Sequence, residues 1–180
     1  LLLFGDWKEG LMRSLLFSGL TRLPYGLAGT VYRSPLPFSP LFDPRGRVLP
    51  AYERHGVDTV VVLNETEELQ RLLGQDLLGH YRQLGYDVIH APAPDFNVFQ
   101  PEVLKLALKA TLAAAEAGRT IAIHCHAGVG RTGILAACLA KTVFGISGED
   151  AVAWLRQFIP EAVEGDLQYR FVLDFSWEAN

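Results

Sequence analysis

The densest chemistry in the chain lies in ten residues, His124-Cys-His-Ala-Gly-Val-Gly-Arg-Thr-Gly133. Cys125 and Arg131 stand six positions apart, with Gly128 and Gly130 between them and Gly133 just beyond. Glycine lets the backbone turn so that consecutive N–H groups point inward, and a helix starting after the loop adds the positive end of its dipole. The run His126, Ala127, Gly128, Val129, Gly130, Arg131 therefore reads as a cradle for a phosphate-like oxyanion, with Cys125 and Arg131 facing one centre. A thiol in such a field sheds its proton readily, and the thiolate is the attacking form.

Three other uses of these residues compete. Gly128-Val-Gly-Arg-Thr-Gly133 matches the dinucleotide fingerprint G-x-G-x-x-G. That site needs a second parallel strand ending in an acidic residue soon after the helix, and residues 151–158 have helical spacing instead. His124, Cys125 and His126 carry metal-ligand atoms, yet successive strand residues point to alternating faces and no C-x-x-C or H-x-x-x-H partner accompanies them. No metal and no other cofactor is expected. An inert buried thiol is the ordinary fate of cysteine and suits Cys138, inside an apolar run, but it does not explain Cys125 beside glycines and an arginine.

The elements that must position this loop are legible from periodicity. Residues 120–124 read as a short buried strand and 132–144 as the helix that follows. Upstream, residues 30–33 and 57–63 read as strands, the second because five of its seven residues are apolar, most of them β-branched. Between them Pro35, Pro37, Pro40, Pro44 and Pro50 predict one extended loop. Leucines 69, 72, 73, 77 and 78 put an amphipathic helix over 65–84, broken near Gly74 or Gly79. Residues 86–90 form the next strand, and Pro101 opens a helix of about 17 residues that stops before Gly118. Helices over 149–158 and 165–177 complete the chain. Strands alternating with helices imply an α/β fold, a mostly parallel central sheet of four to five strands flanked by helices, with its site at the strands' carboxyl ends.

A chain of 180 residues, 49% apolar and 20% charged, has the length of one domain and the composition of a folded one. Residues 1–29 are read as an N-terminal segment of uncertain role and 30–180 as a single catalytic domain. A net charge of -4 argues against nucleic acid as partner. Asp6, Lys8, Glu9 and Arg13 interrupt the leucine-rich start, so no uncharged run approaches the roughly 18 residues of a membrane span. Two cysteines are too few for a disulfide framework and fit a reducing compartment, the cytoplasm.

The run His-Cys-x-x-Gly-x-x-Arg-Thr-Gly resembles the signature of the cysteine-dependent protein tyrosine phosphatase superfamily, and the short chain resembles its dual-specificity branch. With 124 residues ahead of the cysteine, the chain departs from the low-molecular-weight branch, whose cysteine lies near the start. The resemblance implies that Cys125 attacks phosphorus, that Arg131 clamps two phosphate oxygens, and that Thr132 hydrogen-bonds the departing thiolate. It makes Asp95, in Ala91-Pro-Ala-Pro-Asp95-Phe, the proton donor to the leaving oxygen. Gln168 becomes the residue that orients the hydrolytic water, although Phe158-Ile-Pro-Glu-Ala-Val stands where the family often has Arg-Pro-Gly-Ala-Val. Glu68 is a candidate buttress for Arg131, among neighbouring glutamates.

The implied activity is hydrolysis of phosphate monoesters through a phosphocysteine intermediate, on phosphotyrosine and phosphoserine or phosphothreonine of proteins, or on small phosphate esters. The phosphoinositide enzymes of the superfamily tend to carry lysines in the loop; His126, Ala127, Val129 and Gly130 stand in those positions, and no basic cluster for a membrane surface appears. An inositol-phosphate or phosphoinositide phosphatase is the alternative enzyme, and a catalytically weak phosphate-binding module the alternative from another class. A monomer is expected.

Overall fold

In the computed structural model, residues 19–177 are described. Five strands, β1 (Thr21–Leu23), β2 (Thr30–Ser34), β3 (Thr59–Val62), β4 (Asp87–His90) and β5 (Thr120–His124), form one sheet in the order β1-β2-β5-β3-β4. All neighbours run parallel except β1, which pairs antiparallel with β2 at the edge. The seven described helices are α1 (Val48–Arg54), α2 (Thr66–Leu73), α3 (Leu77–Gln83), α4 (Pro101–Glu116), α5 (Gly130–Phe144), α6 (Gly148–Leu155) and α7 (Gly165–Asp174).

The sheet is covered on both faces, which is why its central strands read as unbroken apolar runs. Val61, Ile121 and Ile123 pack with α4, α5, α6 and α7, among them Leu108, Leu135, Leu155 and Val172. Val60, Val62 and Ala122 face the other way, toward Tyr52 of α1, Leu69 of α2 and Tyr81 of α3. Helix α5 is buried from Gly130 through Ala140, so its start is fixed by packing on every side.

The sequence reading and the structure differ at identifiable places. The proline-rich connection is not extended throughout: α1 begins at Val48 and carries Pro50 in its first turn, where a missing N–H breaks no helical bond. The span 65–84 does break as expected, at Gly74, which sits in the left-handed region at φ 67 and parts two helices. The last helix ends at Asp174 instead of Trp177, and α5 starts two residues before Thr132. The sheet also begins ahead of residue 30. Thr21, Arg22 and Leu23 pair with Arg33, Tyr32 and Val31, and Leu23 and Tyr25 lie in the core. The leucine-rich residues 1–18 lie outside the described part.

Candidate active site

Ser34, Val62 and His124 share one register line, so β2, β3 and β5 end level and Cys125 is the first residue beyond the sheet. The Cys125 side chain is 3% exposed. From there the chain curls into α5. Gly128 takes φ +75, and a Cβ on it would fall 2.2 Å from the Ser34 carbonyl oxygen, so the turn admits only glycine. Leu36 N–H donates to the His126 carbonyl at 2.9 Å, tying the loop to the segment after β2. Among the described residues, no protein acceptor takes the backbone N–H groups of His126, Ala127, Gly128 or Val129. Gly133 brings α5 against the loop before α7, where a Cβ would stand 2.6 Å from Val163 N.

Arg131 is 1% exposed and is gripped from three sides. Nη1 donates to Glu68 Oε2 (2.6 Å) and to the Ala93 carbonyl (3.0 Å), while Nη2 donates to Glu68 Oε1 (2.8 Å) and Asp95 Oδ1 (2.9 Å). Its Nε is buried without a partner. Burial opposes the charge, but Glu68, Cys125 and Asp95 outweigh it and hold the guanidinium's pKa above its ordinary value. Burial likewise opposes ionisation of Glu68; Arg131 and the Asn64 amide, which donates at 2.9 Å, keep that carboxyl below the usual range. Glu68 is thus the glutamate that meets Arg131.

Asp95 lies on the loop between β4 and α4, its side chain 42% exposed and its carboxylate on Arg131. Asp87, at the opposite end of β4, pairs with Arg119, which also bonds Asp58 at 2.8 Å. It is far removed from the loop. Phe96, next to Asp95, takes φ 56 and is 74% exposed. Gln168 reaches in from α7: Nε2 donates to the Asn97 carbonyl at 3.1 Å, and its buried Oε1 has no partner. Thr132 Oγ1 is also buried and unpartnered. The structure therefore gathers Cys125, Arg131, Thr132, Asp95, Gln168 and Glu68 around one loop.

The remaining titratable groups divide cleanly. His124 is fully buried; burial drives its imidazole down to about 4, Nε2 shares a 3.0 Å hydrogen bond with the Tyr81 hydroxyl, and Nδ1 lies 3.3 Å from the Cys125 carbonyl. Burial also lowers His126, whose ring lies edge-on to Phe42 at 4.8 Å, so it supplies no cation. Cys138 is pushed up to about 12 by burial. Glu68, Asp95 and His126 bring ligand atoms within 4.8 Å of one another, but Arg131 already donates to both carboxylates, and a metal cation there would have to displace it.

Sequence reasoning missed Asn64, Asn97, Tyr81 and Glu164. None of them left a signal in the sequence pattern; Glu164 caps the helix that carries Gln168, with extended backbone, and is brought beside it by that geometry.

A family profile described as a polymorphic toxin system DSP-PTPase phosphatase matches residues 47–143, more than half of the chain. The chain belongs to this family. It falls in the dual-specificity branch of the cysteine-dependent tyrosine phosphatase superfamily. Tyrosine-protein phosphatase cdc-14 of Caenorhabditis elegans is 42% identical over 48 residues, 27% of this chain and 7% of that protein. Dual specificity protein phosphatase CDC14B of Mus musculus is 40% identical over 53 residues, 29% and 11% of the two chains. The chain thus spans about a tenth of these curated relatives. Tk-PTP in its active form is 31% identical, with 81% of this chain and 89% of that one covered at a TM-score of 0.66. The kinase associated phosphatase carrying serine for its catalytic cysteine shares the fold, with a TM-score of 0.77, 22% identity, and 85% and 90% coverage. The PP-IP phosphatase SIW14 of S. cerevisiae shares it at 0.59, with 24% identity and 81% and 80% coverage. Among the described residues no helix is long and apolar enough to cross a membrane.

Proposed function

We propose that this chain hydrolyses phosphomonoesters of proteins, phosphotyrosine together with phosphoserine and phosphothreonine, in two steps through a phosphocysteine. The Cys125 thiolate forms an S–P bond as the ester P–O bond breaks, and the leaving oxygen takes a proton from Asp95. Water then attacks phosphorus, its proton passes to Asp95, and the S–P bond breaks with its electron pair returning to sulfur. Gln168 Oε1 holds that water, and the Thr132 hydroxyl donates to the sulfur as it departs.

The observation that carries this reading is the edge of Arg131 turned to the loop. Glu68 fixes the Nη1 and Nη2 side of the guanidinium, leaving Nε unpartnered and Nη2 bound only additionally to the exposed Asp95. A bound phosphate meets Nε and Nη2 as a fork and releases Asp95 to face the leaving oxygen. Phosphoprotein is favoured over inositol phosphate because the loop carries no lysine and His126 stays neutral. SIW14 is an inositol-type phosphatase with the same fold, so the alternative is tested directly. The two free cysteines suit action in a reducing compartment.

Cys125→Ser should bind vanadate yet release no phenol from phenyl phosphate, with EDTA present throughout, because a serine hydroxyl is not ionised at neutral pH. Turnover by that variant at a few per cent of wild type would remove Cys125 from the nucleophile's role. Parallel assays with phosphotyrosine and phosphothreonine peptides and inositol phosphates then rank the substrates.

A further inference from the structure

Gly130, the first residue of α5, forms part of the phosphate loop's wall, and what lies against it is acidic. A Cβ built on Gly130 would fall 2.6 Å from Glu164 Oε2 and 3.0 Å from Gln168 Oε1. The Gln168 amide nitrogen stands 3.1 Å from the same point, but it is engaged with the Asn97 carbonyl, so the oxygens of Glu164 and Gln168 are the groups left open there. The Gln168 oxygen is unpartnered although its residue is 1% exposed, and among the described residues Glu164 makes no hydrogen bond or ion pair. Gln168 Oε1 is the atom assigned above to the hydrolytic water, and the exposed Glu164 carboxylate stands beside it at the outer edge of the loop, open to a group that flanks the bound phosphate.

We infer that Glu164 is a specificity-determining residue: its carboxylate, beside the Gln168 oxygen, receives a cationic side chain flanking the phosphorylated residue and repels a second phosphate. This rests on the phosphoprotein reading above and deepens it. The electrostatic surroundings agree with the geometry. Burial and the charges of Asp95 and Glu161 push the Glu164 carboxyl up, with Arg131 opposing them, so the group already lies in a negative field that a cation would relieve. The cations near the loop face other anionic groups. Arg131 is shared by Glu68 and Asp95, and the Arg33 guanidinium, lowered to about 10 by burial, lies in the field of Cys125 and Glu161. A phosphorylated inositol ring presents further phosphates to Glu164 within a few ångströms of the one being cleaved. At such distances one unit charge in partly screened surroundings changes a binding ratio by about tenfold.

The test compares wild type, Glu164→Gln and Glu164→Lys on four substrates at low ionic strength. These are phenyl phosphate, inositol hexakisphosphate, and two phosphotyrosine peptides that differ only in carrying Lys or Glu next to the phosphotyrosine. Wild type should favour the Lys peptide over the Glu peptide in kcat/KM by about tenfold, and added salt should shrink that preference. Glu164→Gln should bring the ratio near one, and Glu164→Lys should invert it while raising the rate on inositol hexakisphosphate relative to phenyl phosphate by about tenfold. Ratios that stay within twofold of wild type in both variants, with phenyl phosphate still hydrolysed, overturn the role of Glu164 alone. Absence of phenyl phosphate hydrolysis by wild type overturns the phosphatase mechanism itself, and a wild-type preference for inositol hexakisphosphate over both peptides overturns the phosphoprotein reading.

Discussion

Arg131 is a fully buried cation whose charge is balanced by Glu68, and removing either partner of such a pair leaves a charge with neither water nor counterion. Glu68→Ala should therefore lower the unfolding free energy by about 3–5 kcal/mol, read as a shifted midpoint in urea. Asp95→Ala, at a 42% exposed side chain, should move that midpoint little, because an exposed pair is worth about 1 kcal/mol or less. A Glu68 variant as stable as wild type would mean that water reaches the guanidinium. The role proposed for Asp95 is instead that of the proton donor. Asp95→Asn should lower kcat by about 10² to 10⁴ with phenyl phosphate and by much less with nitrophenyl phosphate, since a good leaving group needs no proton. Equal losses on both substrates would place the acid elsewhere. Cys125 and Arg131 were legible from sequence because one short loop carries both. Glu68 was one of several glutamates, Glu164 had no stated role, and Asn64 and Tyr81 went unnoticed, because each reaches the site from a different element and only packing chooses among them.

At the scale of elements, the phosphate loop is held by its neighbours as much as by its own sequence. The end of β2 supplies the Ser34 carbonyl under Gly128 and the Leu36 N–H to His126, and the loop before α7 abuts Gly133. Gly128→Ala places a methyl group 2.2 Å from a backbone oxygen in a left-handed turn, so the loop must shift by a substantial fraction of an ångström. A displacement of that order costs about 10²-fold in kcat, and the variant should bind vanadate correspondingly weakly. Near-normal kinetics would show that the loop can relax into the space near β2. The elements themselves were read well where the hydrophobic period was long, as in α4 from Pro101, or where burial was continuous, as in β3 and β5. They were misread where a tertiary partner overrides local pattern. The three-residue β1 exists only because β2 offers an edge, and α1 forms despite Pro50 because Val48, Ala51 and Tyr52 bury against the sheet.

Across the whole molecule, the parallel strands β3, β4 and β5 send the segments bearing Glu68, Asp95 and Cys125 out at one end, while Arg119, Asp58 and Asp87 tie the other end together. The same arrangement buries His124, the last residue of the central strand, with Tyr81 and the Cys125 carbonyl as its hydrogen-bond partners; Arg131 and His90 nearby also disfavour its charge, and Glu68 favours it. Its imidazole is driven down to about 4 in the folded protein, against an ordinary value near 6.5 when unfolded. As pH falls through 6.5 the unfolded chain takes up a proton that the native state refuses, so the unfolded state binds more protons and stability falls with pH. The contribution is undiminished above pH 6.5, declines at about 1.4 kcal/mol per pH unit, and is lost to the extent of roughly 3 kcal/mol once pH passes below 4. His126, also lowered by burial, acts in the same direction, whereas Glu164, raised in the fold, acts against them when it protonates. Glu68, held low by Arg131, adds its loss only below its unfolded value near 4.5. The interval from pH 6.5 to 5 therefore belongs mainly to the buried histidine. Urea unfolding across that interval should show a falling midpoint with unchanged slope, while the His124 ring signals in NMR keep the neutral form. A ring that titrates above pH 6 in the native protein would mean that His124 is solvated and that the floor of the phosphate loop is open to water.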